Sequence, residues 1–192
     1  MNANTNIDLG ALHDAIVADI KAQFPQLVTV EFYREDRQDL PKPACLLELT
    51  ELEADPDNDP GTEQLAVMAK FEAELVIGWR DVDGVKAKQS IRVLSAAFAA
   101  WLRMRRWTNP DDPTKKLPTG EAQVIGAYRD DFAVMGRQRD QDLPQFEIWR
   151  VEWQQRIHLG NTIWTDEGIT PSDVFVRDSV NGVPDGDYEK VT

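Results

Sequence analysis

The sequence predicts a single α+β domain: a mostly antiparallel or mixed sheet, two amphipathic helices packed on one of its faces, and an extended C-terminal tail. Three observations carry this. Leu65, Val67, Ala69, Phe71, Ala73, Leu75, Ile77 and Trp79 are consecutive odd positions, all apolar, while the even positions include Lys70, Glu72, Glu74 and Arg80. Period two held for that long describes a half-buried strand well beyond the usual ~5–6 residues. Residues Phe146 to Leu159 repeat the pattern, with Trp149, Val151, Trp153, Ile157 and Leu159 on one face and Gln155 the exception. Two other stretches switch to helical spacing, Leu9, Leu12, Ile16 and Ile20 with Phe24 one turn on, and Ile91, Leu94, Phe98 and Trp101/Leu102.

The first helix starts behind Asp8, a good N-cap, and runs to about Phe24, where Pro25 ends it. Val28, Val30 and Phe32 alternate as a strand, and the charged, proline-tipped segment Tyr33 to Pro43 reads as a loop. Ala44 to Leu52 is a second strand. Cys45, Leu47 and Leu49 share one face, and Leu46 between them implies that the other face is partly covered too. An acidic breaker-rich loop, Glu51 to Gly61, leads into the long strand. At about 1.5–3 kcal/mol per fully buried large side chain, that strand's stripe contributes on the order of 10 kcal/mol before entropy is subtracted. Asp81-Val-Asp-Gly84 is a turn, and Gln89 to Trp107 is the second helix, rich in alanine. Arg103, Arg105 and Arg106 fall in its expected last turn, where cations meet the negative end of the helix dipole. Asn109 to Pro113 stops it, and Glu121 to about Tyr128 is a further strand. Arg129 to Pro144 is polar around one apolar cluster, Phe132, Val134 and Met135, and reads as a strand end followed by a hairpin loop. After Gly160 the composition changes, with Trp164 and the patch Val174-Phe175-Val176 isolated in polar, loop-forming sequence. The expected division is residues 1–160 as the α+β domain and 161–192 as an extension.

Charge and composition narrow the function. Of 192 residues, 42% are hydrophobic and 29% charged, an ordinary globular balance. The net charge of −13 disfavours wholesale binding of nucleic acid phosphates. No apolar run approaches the roughly 18 residues of a membrane span, and the first residues lack the basic and apolar pattern of a secretion signal, so a cytoplasmic site of folding is expected. Cys45 is the only cysteine, which leaves no intrachain disulfide, and its apolar neighbours mark it as a small buried hydrophobe.

Chemistry-bearing motifs do not emerge. His13 and His158 lie on separate elements, on polar faces, outside any metal spacing. None of the four serines, Ser90, Ser95, Ser172 and Ser179, sits in a nucleophile elbow. Glycine-rich phosphate loops are missing as well. The sequence thus predicts a non-enzymatic protein with no cofactor and no metal. Asp55, Asp57 and Asp59 alternate like the start of a calcium loop, but Pro60 stands where such a loop needs glycine and Ala66 where it needs a bidentate glutamate. Arg103, Arg105 and Arg106 beside Trp107 have the look of a nucleic acid contact. The plainer reading is dipole complementation and pairing with the excess carboxylates.

The order of elements resembles the tail terminator (tail-completion) proteins of long-tailed bacteriophages, of Mu-like and lambda-like type. The resemblance rests on the helix Leu9 to Phe24, the strands Val28 to Phe32 and Cys45 to Leu52, and the long strand Lys70 to Gly78. It continues through the alanine-rich helix Ile91 to Trp107 and the strand Phe146 to Gln154, covering roughly residues 8 to 160. It implies a virion structural protein, a homohexameric ring that caps the tail tube, ends its polymerisation and offers a head-joining surface. The implied partners are further copies of the chain, the tail tube protein and a head-tail connector or neck protein. DNA would pass through the acidic ring without specific binding. Trp164, Phe175, Arg103, Arg105 and Arg106 are the candidate interface residues. Another neck or tail-tube subunit, or a monomeric binding module, is the competing expectation.

The aspartate loop gives the first prediction. Calorimetric titration with Ca²⁺ should show no stoichiometric sub-millimolar binding. Binding that disappears in an Asp55→Ala, Asp57→Ala double variant would contradict it.

Overall fold

In the computed structural model, which describes residues 5–34, 40–59, 61–78, 86–130, 146–163, 174–176 and 189–191, the chain opens with helix α1 (Leu9–Gln23). Asp8 caps it, its carboxylate accepting the Ala11 amide at 2.8 Å, which satisfies one of the donors a helix start leaves open. Strands β1 (Thr29–Phe32), β2 (Ala44–Ala54) and β3 (Leu65–Gly78) follow, then helix α2 (Ala87–Leu102), β4 (Gln123–Arg129) and β5 (Phe146–Leu159). They form one five-stranded sheet in the order β1-β2-β3-β5-β4. Only the β1–β2 pair is parallel, so the sheet is mixed. Two short strands, β6 (Val174–Val176) and β7 (Glu189–Val191), pair with each other antiparallel, where the sequence reads as tail and loop.

The two long strands are neighbours along their whole length, from Leu65 opposite Leu159 to Gly78 opposite Phe146. Their apolar stripes and both helices share one core. Leu12, Ile16 and Ile20 of α1 and Phe98 and Leu102 of α2 pack against the same sheet face, over Phe71, Leu75, Val151, Trp153 and Ile157. An aromatic chain runs through it. Phe71 stacks on Trp153 at 5.2 Å, Trp153 meets Trp107 at 6.3 Å, and Trp107 meets Trp101 edge-on at 6.0 Å. Cys45 is fully buried, which pushes its thiol pKa far up. A smaller cluster of Leu40, Ala44, Leu46, Val76 and Ile148 covers one end of the opposite face, as the double burial at the start of β2 requires.

The structure corrects the sequence expectations at several points: β1 starts at Thr29 with Val28 exposed, and β2 runs on to Ala54, into the stretch read as loop. The buried stripe of β3 begins at Val67, since Leu65 at the strand's end is 55% exposed. Trp149 is only half-buried, with the Arg92 guanidinium 5.4 Å above its ring. Helix α2 stops at Leu102 rather than Trp107. Met104 takes a left-handed φ of 60° and its amide donates to Ala122, while Arg105 and Trp107 accept from Ala122 and Leu117. Pairing with residues 117–122 therefore replaces the last helical turn, and it lets Trp107 enter the core, where it is fully buried. Neither histidine is a free surface group: His13 stacks on Phe32 at 4.1 Å, and His158 bonds Thr5. Trp79, the turn at 81–84, the cluster around Phe132 and part of the 33–43 loop lie outside the described residues.

Gln155 resolves the exception in the β5 stripe. It is fully buried. Its Oε1 accepts the Trp107 indole N–H at 2.6 Å, and its amide nitrogen donates to the Thr119 hydroxyl at 2.8 Å and to the Gly120 carbonyl at 2.5 Å. Gly120 suits this close approach, because an added Cβ would lie 3.2 Å from Arg156 Cβ and β5 would have to give by a few tenths of an ångström.

Trp153 sits at the centre of the core with no exposed surface. Trp153→Ala should cost about 3–5 kcal/mol in denaturant unfolding, as large-to-small aromatic core changes do. A loss under about 1 kcal/mol would contradict this placement.

Candidate interaction surfaces

Among the described residues no group of three or more His, Cys, Asp or Glu side chains could hold a metal ion, and no helix is long and apolar enough to cross a membrane. The aspartate loop is a single 3-10 turn, Pro56–Asn58. Asp55 accepts from Asn58 and from Arg156 Nε, both at 2.8 Å, and these two bonds hold its carboxyl below its usual range. Asp59 accepts the Gly61 amide at 2.8 Å. Both carboxylates are thus turned toward protein donors.

The three arginines of the candidate interface separate. Arg103 is the C-cap of α2 and is exposed. Arg105 turns inward, its guanidinium 3.3 Å from Asp19 and 4.0 Å above the Trp101 ring. Asp19 also accepts the amide and hydroxyl of Thr108, so this pair ties α1 to the segment after α2. Arg106 donates from Nε to the Thr119 carbonyl at 2.9 Å. With Trp107 buried, the basic and aromatic residues do not form a stacking platform for nucleic acid. Trp164 and the Phe175 side chain lie outside the described residues.

The sheet face away from the helices carries a cluster of charged side chains. Register places Glu48 of β2 opposite Glu72 of β3, and Glu72 opposite Glu152 of β5, three carboxylates in one cross-strand row. Like charges directly opposite each other destabilise a sheet. Arg150 next to the row offsets part of this, reaching Glu72 at 2.6 Å, Glu74 at 3.4 Å and Asp130 at 2.7 Å. The Tyr128 hydroxyl donates to Glu152, and burial with that bond pushes the phenol up to about 12. Desolvation first, then Glu152, Glu48 and Glu74, raise the Glu72 pKa against the pull of Arg150. A hollow lined by Tyr33, Arg34, Leu46, Glu48, Glu72 and Glu74 opens beside the row.

Helix α2 with the residues flanking it is the electrostatic opposite. Residues 86–106 hold six cations, Lys86, Lys88, Arg92, Arg103, Arg105 and Arg106, and no carboxylate. Arg105 alone among them has an ion-pair partner within the described residues. Val93, 64% exposed, and Met104, 60% exposed, lie among these cations. A shallow groove lined by Ala99, Ala100, Arg103, Met104, Ala122 and Val124 runs from the end of α2 to the edge strand β4. Sequence reasoning flagged only the arginines at the helix end. The glutamate row was out of its reach, because it depends on the register of three strands.

The N-terminal segment is strapped to β5 at His158. Gln64 donates its amide to the Gly160 carbonyl, so its Oε1 is the acceptor for the hydroxyls of Thr5 and Thr62. With its proton given to Gln64, Thr5 Oγ accepts from His158 Nδ1–H at 2.7 Å. His158 Nε2 is buried without a hydrogen-bond partner. Compared with models of known protein families and with curated proteins, the sequence gives no match.

Burial first, and then the neighbouring Arg156, hold the His158 pKa below its usual 6.5, with Asp59 and Asp55 pulling the other way. The folded state therefore favours the neutral ring, and the unfolded chain takes up the proton first as pH falls. His158 thus contributes stability that is present above pH ~6.5 and declines as pH drops from there toward the folded pKa. Burial lowers the His13 pKa as well, so that residue adds an effect of the same sign. Between about pH 7.5 and 5.5 the wild type should lose more thermal stability than His158→Gln does. Proton NMR should show the His158 imidazole titrating below its usual value, and equal pH slopes for the two proteins would count against this account.

Proposed function

We propose that this protein is a non-enzymatic structural subunit of a bacteriophage tail, one that caps the tail tube as an oligomeric ring and presents a surface for head joining. The observation that carries this reading is a sheet with both helices on one face and, on the other, a glutamate row that Arg150 offsets only in part. Such a face has a physical account when a second molecule lies against it. The resemblance of the element order to that of tail terminator proteins supports the same reading. The implied location is the head-proximal end of the virion tail, with tail tube and neck proteins as neighbours and DNA passing through an acidic lumen. A tail-tube or neck subunit would share the assembly logic but would continue into tubes.

Mass measurement in solution with negative-stain imaging tests this directly. Closed rings of fixed size that bind one end of tail tubes are the expected result. A monomer, or open tubes, would overturn it. The extension is expected to act in assembly through the segment that includes Trp164 and Phe175. Gly160 and Ile163 still bond to the body, through Gln64, Asn6 and Thr62. A chain ending at Ile163 should therefore fold with unchanged stability yet fail to complete tails. Normal ring assembly and infectious particles from the truncated chain would show that the extension has no such role.

A further inference from the structure

The two patches of opposite charge lie on opposite sides of the molecule. Helix α2 packs on the core face of the sheet, and Lys86, Lys88 and Arg92 at its N-terminal half are exposed on that side of the molecule. Glu48, Glu72 and Glu152 occupy the other face. They cannot meet within one chain. Nor do they need a foreign partner, because each chain carries both halves of a complementary contact.

We propose that the cationic face of α2 in one copy docks on the glutamate row of the next copy. This rests on the reading of the protein as a ring-forming subunit and names the surfaces that join. A surface meeting a different surface on its neighbour is a head-to-tail contact, the type that closes into rings when the rotation allows. Among the described residues Lys86, Lys88 and Arg92 have no ion-pair partner. Glu48 has no ion-pair partner among the described residues, and Glu72 faces both Glu48 and Glu152 across the sheet while sharing Arg150 with Glu74 and Asp130. An incoming ammonium or guanidinium relieves both deficits at once. Val93 supplies apolar area amid the cations.

The test separates assembly from folding. Carboxylates are favoured at a helix N-terminus, so Lys86→Glu with Lys88→Glu should keep or raise the thermal stability of the single chain. Glu48→Lys should do the same by breaking the row of like charges. Each variant should nevertheless weaken self-association at least about tenfold by analytical ultracentrifugation. Wild-type association should fall by a similar factor between about 0.1 M and 1 M salt, as screening shortens. A chain carrying all three substitutions restores opposite signs across the contact and should recover about threefold or more of the loss. Association that ignores the substitutions or salt, no recovery in the combined chain, or a wild type that stays monomeric would overturn the proposal. So would α2 cations that bind a DNA duplex while leaving assembly untouched. Rings insensitive to these changes leave the tail-capping reading standing without this contact. Rings that respond as expected but ignore tail tubes leave the contact standing without that reading.

Discussion

The buried amide of Gln155 is the constraint on which the packing of this domain turns. A side-chain amide in the middle of an apolar stripe is costly unless all its hydrogen-bonding groups are used. Here the oxygen takes the Trp107 indole, and the nitrogen takes Thr119 and Gly120. Those bonds fix where the segment after α2 enters the core and where the approach to β4 crosses β5. Gly120 then donates its own amide to Arg156, and Ala122 to Arg105, so backbone pairing continues what the amide begins. Trp107 held in this way completes the aromatic chain from Phe71 through Trp153 to Trp101. Exchange of Gln155 for an apolar residue would orphan the indole N–H, at a cost of about 1–3 kcal/mol.

That constraint also explains where sequence reasoning stopped. Strands β3 and β5 and helix α1 were legible because one periodicity runs through each of them, and a single face of each is buried over most of its length. The end of α2 was not. Residues 103–107 have helix-compatible composition, and local propensity offers no reason to stop at Leu102. The reason is tertiary: Ala122 and Leu117 claim the backbone of residues 104–107. Gln155 stood out in the sequence as an exception, but its partners lie about 35 to 50 residues away, beyond any local pattern. The same limit hid the glutamate row. Glu48, Glu72 and Glu152 are each unremarkable on the polar side of a strand, and only register makes them neighbours.

Strand order has a consequence for how the charges are partitioned. With β3 and β5 central, the solvent side of the two longest strands is one continuous surface, and the described helices leave it open. Polar residues satisfy that surface in part through Arg150 and through Lys70, which pairs with Glu51 and Glu53. The Lys70 cluster is balanced by strand edges rich in carboxylate and exposed to water. The Glu72 cluster is more enclosed, and its excess charge is correspondingly harder to screen.

A sequence that specifies its fold generally agrees with itself at every level, and its local violations collect where something other than folding is served. Three violations stand out here: an amide in an apolar stripe, a row of like charges across three strands, and a basic stretch, residues 86–106, without a single carboxylate in an acidic chain. The first is resolved inside the molecule, because Trp107, Thr119 and Gly120 lie within reach. The other two are not, since the sheet itself stands between them. Each supplies what the other lacks, and that complementarity is the ground for the contact proposed between copies.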